Sequence, residues 1–151
     1  MSTDTNNTQP NVYQDFHLQY IAGEWQSGQD DSVNTNTNPY NGDTLVEIQQ
    51  ATSEQLDEAY QAATLAQKEW AQTTPAERSA VLYKVVSIFD QRQDEIVDWL
   101  IKESGSTRIK AMVEFSSARA ITLEAASFPS RVHGEIRPSN TAGKENFIYR
   151  E

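Results

Sequence analysis

The chain has 151 residues, enough for one domain with a core of its own, and 37% of them are hydrophobic, a low share for a self-contained domain. Twenty-two acidic residues against 12 basic ones leave a formal charge of −10. A phosphate backbone is repelled by such a field, and the basic residues are scattered, so nucleic-acid binding is excluded as an expectation. No apolar run reaches the roughly 20 residues of a membrane span. The start MSTDTNNTQP has neither the basic residues nor the apolar segment of a secretory signal, so a cytoplasmic location is expected and the sequon Asn6-Asn7-Thr8 is read as chance. There are no cysteines, which removes disulfides, thiolate metal sites and every thiol nucleophile within this sequence.

Residues 1–15 are nearly all polar and are expected to form a disordered tail. Leu18–Ala22 alternates as a strand does, and Ala22-Gly23-Glu24 reads as a turn. After a polar loop, a short return strand is expected near Val33–Asn36. Asn38-Pro39 and Asn41-Gly42 are turn signals, and Leu45–Gln49 alternates again, giving a small antiparallel meander. Thr52 opens the first helix through the capping box Thr52-x-x-Gln55. Leu56, Ala59, Tyr60, Ala63, Ala66 and Trp70 then form one apolar stripe.

The second helical segment, Thr74 to Gly105, has the clearest signals in the chain. Thr74 is an N-cap, Pro75 fits the first helical position and Glu77 completes a capping box. Val81, Leu82, Val85, Ile88 and Phe89 form one stripe. A polar run, Asp90–Glu95, precedes a second stripe of Ile96, Val97, Leu100 and Ile101, and Gly105 supplies a left-handed end. A third helical segment from Thr107 or Arg108 to Ser127 is expected to bury Ile109, Met112, Val113, Phe115, Ala120, Leu123 and Ala126. Phe128-Pro129-Ser130 stops it. Ile136-Arg137 and Glu145–Arg150 read as two strands of a ribbon that reaches Glu151 without a closing turn, an unprotected edge that favours a piece of a longer chain.

Chemistry is largely missing. There is no glycine-rich dinucleotide fingerprint, no phosphate-binding loop, no nucleophile elbow and no zinc-protease motif. Gly105-Ser106-Thr107 follows a helix and reads as its end. His17 and His133 are far apart in sequence. Asp57, Glu58 and Glu77 sit in first helical turns, where the helix dipole favours acids, and Ser104 and Ser106 have no base nearby in sequence. Trp25, Trp70 and Trp99 read as packing residues. No catalytic, cofactor-binding or metal-ligating residue is assigned.

The order of these pieces resembles one family. Tyr20-Ile21-Ala22-Gly23-Glu24-Trp25 is similar to the F-I-x-G-x-W opening hairpin of the NAD(P)-dependent aldehyde dehydrogenase superfamily. Asn38-Pro39-Tyr40-Asn41-Gly42-Asp43 is similar to its N-P-x-x-G-E turn, with Asp43 in place of Glu. Asp57, Ala59, Ala62, Ala63, Ala66 and Trp70 match its first long helix, and Pro75-Ala76-Glu77-Arg78 matches the P-x-x-R start of the next. Glu103-Ser104-Gly105 matches E-[ST]-G-K, with Ser106 where Lys is usual. Gly134-Glu135 and Phe147–Glu151 resemble the family's ribbon. The match runs from about Leu18 to Glu151. The stretch Ser127-Phe128-Pro129-Ser130 with Gly134-Glu135 is similar to members acting on aromatic or small aliphatic aldehydes.

The resemblance implies an α/β fold, of which this chain is the N-terminal portion. That portion holds a small β meander, three amphipathic helical segments and the start of an oligomerisation β ribbon, and it lacks the parallel Rossmann-like sheet. Residues 16–131 would be the hairpin and outer helices of the coenzyme-binding domain, and 132–151 the beginning of the ribbon. The parent would oxidise an aldehyde to a carboxylic acid. A Cys thiolate attacks the carbonyl, hydride passes to NAD or NADP, and a Glu-activated water hydrolyses the thioester. Those residues lie downstream in the family and none is carried over here. The chain alone is therefore expected to be inactive and to bind neither NAD nor NADP tightly, while the parent would form a homo-oligomer, a dimer or tetramer. The competing reading is a truncated paralogue that acts as a structural module and pairs with a full-length subunit.

Overall fold

The structure is a computed structural model that describes residues 15–149. The expected tail, the sequon at Asn6 and the expected end of the last strand at Arg150 and Glu151 lie outside the described residues, apart from Asp15. The order is β1 (Gln19–Ile21), β2 (Glu24–Gln26), β3 (Val33–Thr37), β4 (Thr44–Gln49), α1 (Ser53–Trp70), α2 (Pro75–Gln91), α3 (Gln93–Ser104), α4 (Arg108–Ala125), a 3-10 turn (Pro129–Arg131), β5 (Glu135–Pro138) and β6 (Glu145–Ile148). All three strand pairs among the described residues are antiparallel: β1 with β2, β3 with β4, and β5 with β6.

The first hairpin turns on Ala22 and Gly23, with φ of 53° and 93°. Two consecutive left-handed residues are what a two-residue hairpin joint requires, and they set Tyr20 opposite Trp25 with ring centroids 5.2 Å apart. The expected meander is corrected here, because β2 does not pair with β3. The loop between them spends its backbone groups on the end of β4 instead. Asp30 N–H donates to Gln50 O at 3.0 Å, Gln50 N–H donates to Ser32 O at 2.9 Å, and Gln49 Nε2 donates to Asp30 O at 3.0 Å.

Gly28 is buried in this joint, where a Cβ would stand 2.1 Å from Gln50 O and 2.2 Å from Gln49 O. These are backbone atoms of Gln49 and Gln50, with no flexible side-chain end to give way. Gly28→Ala should therefore cost about 1–3 kcal/mol locally, the usual range for overpacking. Hydrogen exchange in the intact protein checks this: the Asp30 and Gln50 amides should exchange faster, and unchanged rates would show that the loop can move aside.

Both capping boxes form as expected. Thr52 Oγ1 accepts from Gln55 N–H and Thr74 Oγ1 from Glu77 N–H, while the Gln55 and Glu77 side chains reach back to the cap amides. Gly105 ends α3 with φ 64°, and Thr107 caps α4. The second predicted segment, however, comes as two helices. Arg92 leaves helical geometry at φ −111°, ψ 19°, and its N–H is shared between Ile88 O and Phe89 O. Its guanidinium pairs with Glu95, closing the break with local bonds. The joint re-aims the second stripe, so α2 and α3 both pack against α4.

Val97, Ala111 and Phe115 are the buried centre of this helical unit, with Phe89, Ile96, Leu100, Ile101 and Met112 around them. The expected inner face of α4 is corrected in part. Ala111, Phe115 and Ala126 point inward, whereas Ile109 (80% exposed), Val113 (60%), Ala120 and Leu123 point out. Apolar residues occupy more than one side of α4, and the small Ala111 sits where α3 crosses closely. The α1 stripe is left uncovered in this chain: Leu56, Tyr60 and Trp70 are exposed, and the one buried residue of α1 is Gln55.

Two ion-pair groups tie α4 down. Arg119 grips Asp90 through Nε–Oδ1 at 2.5 Å and Nη2–Oδ2 at 2.9 Å, and Arg108 reaches Asp94 and Asp98 at 3.3 and 3.2 Å. The Arg119 hydrogen bonds hold the Asp90 carboxyl below its ordinary value, and the Thr74 and Ser32 bonds do the same for Glu77 and Asp30. A depressed folded value means that the contribution to stability is present above the unfolded carboxylate pKa, near 4, and fades as pH falls through the folded one. Protection of the α2–α4 amides should thus weaken on acidification below about pH 4. Asp90→Asn should flatten part of that dependence, and identical pH profiles for the two proteins would show that the pair does not report on folding.

Candidate functional site

Groups that could do chemistry are dispersed by the fold. His17 and His133 are both exposed, and His133 Nδ1 sits 2.6 Å from Arg131 O. Among the described residues no group of three or more His, Asp or Glu side chains is placed to hold a metal ion. The carboxylates Asp57 and Glu58 stand on the exposed side of α1. Trp25, Trp70 and Trp99 stay on separate elements. Trp99 packs on Phe16 with ring centroids 4.3 Å apart, and Trp70 lies under the Arg78 guanidinium at 5.9 Å.

The structure adds one neighbour that sequence reading missed. Ser104 and Ser106 hydroxyls are 2.5 Å apart, and Lys110 Nζ donates to Ser106 Oγ at 3.0 Å and to Glu114 Oε1 at 2.6 Å. The signal was Lys110 standing four residues after Ser106. Its amine donates to both partners, so the cluster fastens the α3–α4 joint rather than abstracting a proton. Arg78 plays a comparable role, donating to Trp70 O and Ala71 O and to Thr73 Oγ1, and thereby closing the end of α1 from the start of α2.

What the molecule presents instead is uncovered apolar surface. An open groove of about 770 Å³ runs along α4 beside the start of α3, lined by Gln93, Arg108, Ile109, Met112, Val113, Ser116, Ser117 and Ala120. A second concavity on α1 is lined by Ala63, Ala66 and Trp70. The β5–β6 ribbon exposes Ile136, Phe147 and Tyr149. Patches of this kind mark surfaces that other protein covers.

A dinucleotide needs a cradle of free backbone amides, usually a glycine-rich turn leading from a strand into a helix. The amino ends of α1, α2 and α4 are taken by their own threonine caps. Gly28 and Gly134 abut the backbone carbonyls of Gln50 and Ile148. Among the described residues, no glycine-rich turn leads from a strand into a helix.

The sequence profile of the aldehyde dehydrogenase family matches residues 25–151. This chain belongs to the aldehyde dehydrogenase family. Within it, the chain is 53% identical over 130 residues to a vanillin dehydrogenase of Corynebacterium glutamicum, covering 86% of this chain and 27% of that protein. It is 40% identical over 138 residues to benzaldehyde dehydrogenase YfmT of Bacillus subtilis, covering 91% and 28%. Among solved structures, an NAD-dependent benzaldehyde dehydrogenase from Corynebacterium glutamicum superposes with a TM-score of 0.82 at 49% identity, over 92% of this chain and 30% of that one. The chain thus spans between a quarter and a third of the length of these aldehyde dehydrogenases. Its four helices and short antiparallel pairs match the α/β architecture of its neighbours. No helix among the described residues is long and apolar enough to cross a membrane.

Proposed function

We propose that this chain is the amino-terminal part of a cytoplasmic enzyme that oxidises an aromatic aldehyde to the carboxylic acid with NAD or NADP, through a cysteine thiohemiacetal. The observation that carries the reading is the 53% identity to a vanillin dehydrogenase, seconded by the benzaldehyde dehydrogenase relatives. NAD is favoured by the NAD-dependent benzaldehyde dehydrogenase, and NADP by the more distant D-glyceraldehyde dehydrogenase (NADP(+)) of Picrophilus torridus, 30% identical.

In this reading residues 16–131 are scaffold. The hairpins seat α1, and the open faces of α1 and α4 receive the rest of the parent. Residues 132–151 begin the ribbon through which parent subunits associate. The sequence has no cysteine, so the thiol comes from chain beyond these residues. In the same reading the hydride acceptor is held by the remainder of the parent.

The test compares the native protein carrying this segment with the 151-residue chain alone, following aldehyde-dependent reduction of NAD and NADP. The native protein should oxidise benzaldehyde and vanillin, in preference to succinic semialdehyde. The chain alone should show no turnover above a blank and should bind hydrophobic dye through its open faces. Turnover by the chain alone would relocate the chemistry, and sharp cooperative unfolding of a dye-free monomer would mean that its faces need no cover. The intact mass of the native protein separates the two architectures. A mass well above 17.0 kDa supports the enzyme. A mass equal to it supports a structural module that pairs with a full-length subunit.

A further inference from the structure

We propose that Asn41 is a site of spontaneous backbone-driven conversion to aspartate and isoaspartate. It is the one asparagine in the sequence that is followed by glycine. Both residues are exposed, at the tip of the β3–β4 hairpin beside Tyr40, which is 91% exposed.

The chemistry needs only this chain and water. The Gly42 nitrogen gives up its proton and attacks Asn41 Cγ. A C–N bond forms, the Cγ–Nδ2 bond breaks, and Nδ2 leaves as ammonia, taking up the proton. Water then opens the succinimide ring at either carbonyl, giving aspartate or isoaspartate. The attack is easiest where the following residue carries no side chain, and nothing lies within 4 Å of where a Gly42 Cβ would stand.

Two contacts of the turn assist. Asn41 Oδ1 accepts from Asp43 N–H at 3.1 Å, which polarises Cγ and supports the oxyanion formed on attack. The Asp43 carboxylate receives a hydrogen bond from Asn41 Nδ2 at 2.6 Å, so a proton carrier stands beside the leaving nitrogen. One contact opposes: Gly42 N–H donates to Asn38 O at 2.8 Å. Conversion therefore proceeds from turns in which that single bond has opened, more slowly than in the unfolded chain. The other described asparagines are worse placed, since threonine follows Asn34, Asn36 and Asn140, phenylalanine follows Asn146, and proline, with no N–H to lose, follows Asn38.

The product disturbs a docked element. Pro39 lies over Gly105 so closely that a Cβ there would meet its ring at 3.1 Å, and Asn36 Nδ2 donates to Glu103 Oε1 at 2.6 Å. Isoaspartate lengthens the backbone and sets a second carboxylate against Asp43, which loosens the hairpin tip from the end of α3.

The test is to hold the native protein carrying this segment at physiological temperature and mildly alkaline pH, then read each asparagine peptide by mass and by isoaspartyl-specific enzymatic labelling. Asn41 should convert before Asn34, Asn36, Asn140 and Asn146, faster as pH rises, and Asp43→Asn should slow it. An Asn41 that stays intact in the folded protein while it converts in denaturant would overturn the proposal by showing that the fold protects it. So would conversion led by any other described asparagine. Neither outcome depends on which reaction the parent catalyses.

Discussion

Gln55→Leu should detach the start of α1 from the loop that precedes β3, although the two residues are close in size. Gln55 is 3% exposed. Its Oε1 accepts from Gln29 N–H at 2.8 Å and from Thr52 N–H at 3.3 Å, and its Nε2 donates to Ser27 O at 3.1 Å. Leucine fills the space and answers none of these groups. Each backbone group left without a partner away from water costs about 1–3 kcal/mol, so a loss of about 2–4 kcal/mol is expected once some of them find water. In hydrogen exchange the Gln29 and Thr52 amides should speed up by roughly two powers of ten. Unchanged rates would mean that water already serves these groups.

Gln55→Glu makes the argument sharper. A carboxylate keeps both accepting bonds but faces the Ser27 carbonyl with a second acceptor, which destabilises the joint at neutral pH. Protonation restores a donor, so this variant should regain protection as pH falls, opposite in sign to the Asp90 effect. A Gln55→Glu protein whose protection ignores pH would show that the Ser27 bond contributes nothing.

Phe115→Ala should unfasten α4 from both of its neighbours at once. Phe115 is 4% exposed, packs on Val97 and Ala111, and has its ring centroid 6.3 Å from that of Phe89. Truncating a buried phenylalanine costs about 3–5 kcal/mol, because the lost transfer energy is joined by the cost of the cavity left behind. Amides of α3 and α4 in the intact protein should exchange roughly two to four powers of ten faster. Ile109→Ala on the same helix is the contrast. Ile109 is 80% exposed in this chain, so its loss should stay within about 0.5 kcal/mol in the isolated chain. A markedly larger cost in the native protein would show that the outer face of α4 is covered there. A small effect of Phe115→Ala would mean that the three helices are held mainly by their surface ion pairs.

Much of the local structure was legible without coordinates. Thr52 with Gln55, and Thr74 with Pro75 and Glu77, announce two helix starts because each cap closes on groups three residues away. Gly105 announces an end because a left-handed residue is needed there, and Asn41-Gly42 a turn for the same reason. The ordered motifs from Tyr20 to Glu151 pointed to the aldehyde dehydrogenase family. The stripe on α1 was legible as a line of apolar residues, and its exposure follows from a chain that carries only part of what would cover it.

Only the tertiary structure decided the rest. The break at Arg92 depends on where α4 lies, since α2 and α3 must both reach it. The choice of Ala111, Phe115 and Ala126 over Ile109, Val113 and Leu123 as the inner face of α4 is a choice among several apolar sides, and only the neighbours make it. Gln55 was readable as half of a capping box. Its bonds to Ser27 and Gln29 span 28 and 26 residues, and no local pattern encodes them. The physical divide is one of range. Caps and turns are settled by groups a few bonds apart, so the sequence by itself determined them. Faces, breaks and buried polar joints are settled by elements that meet only after the chain has folded back on itself.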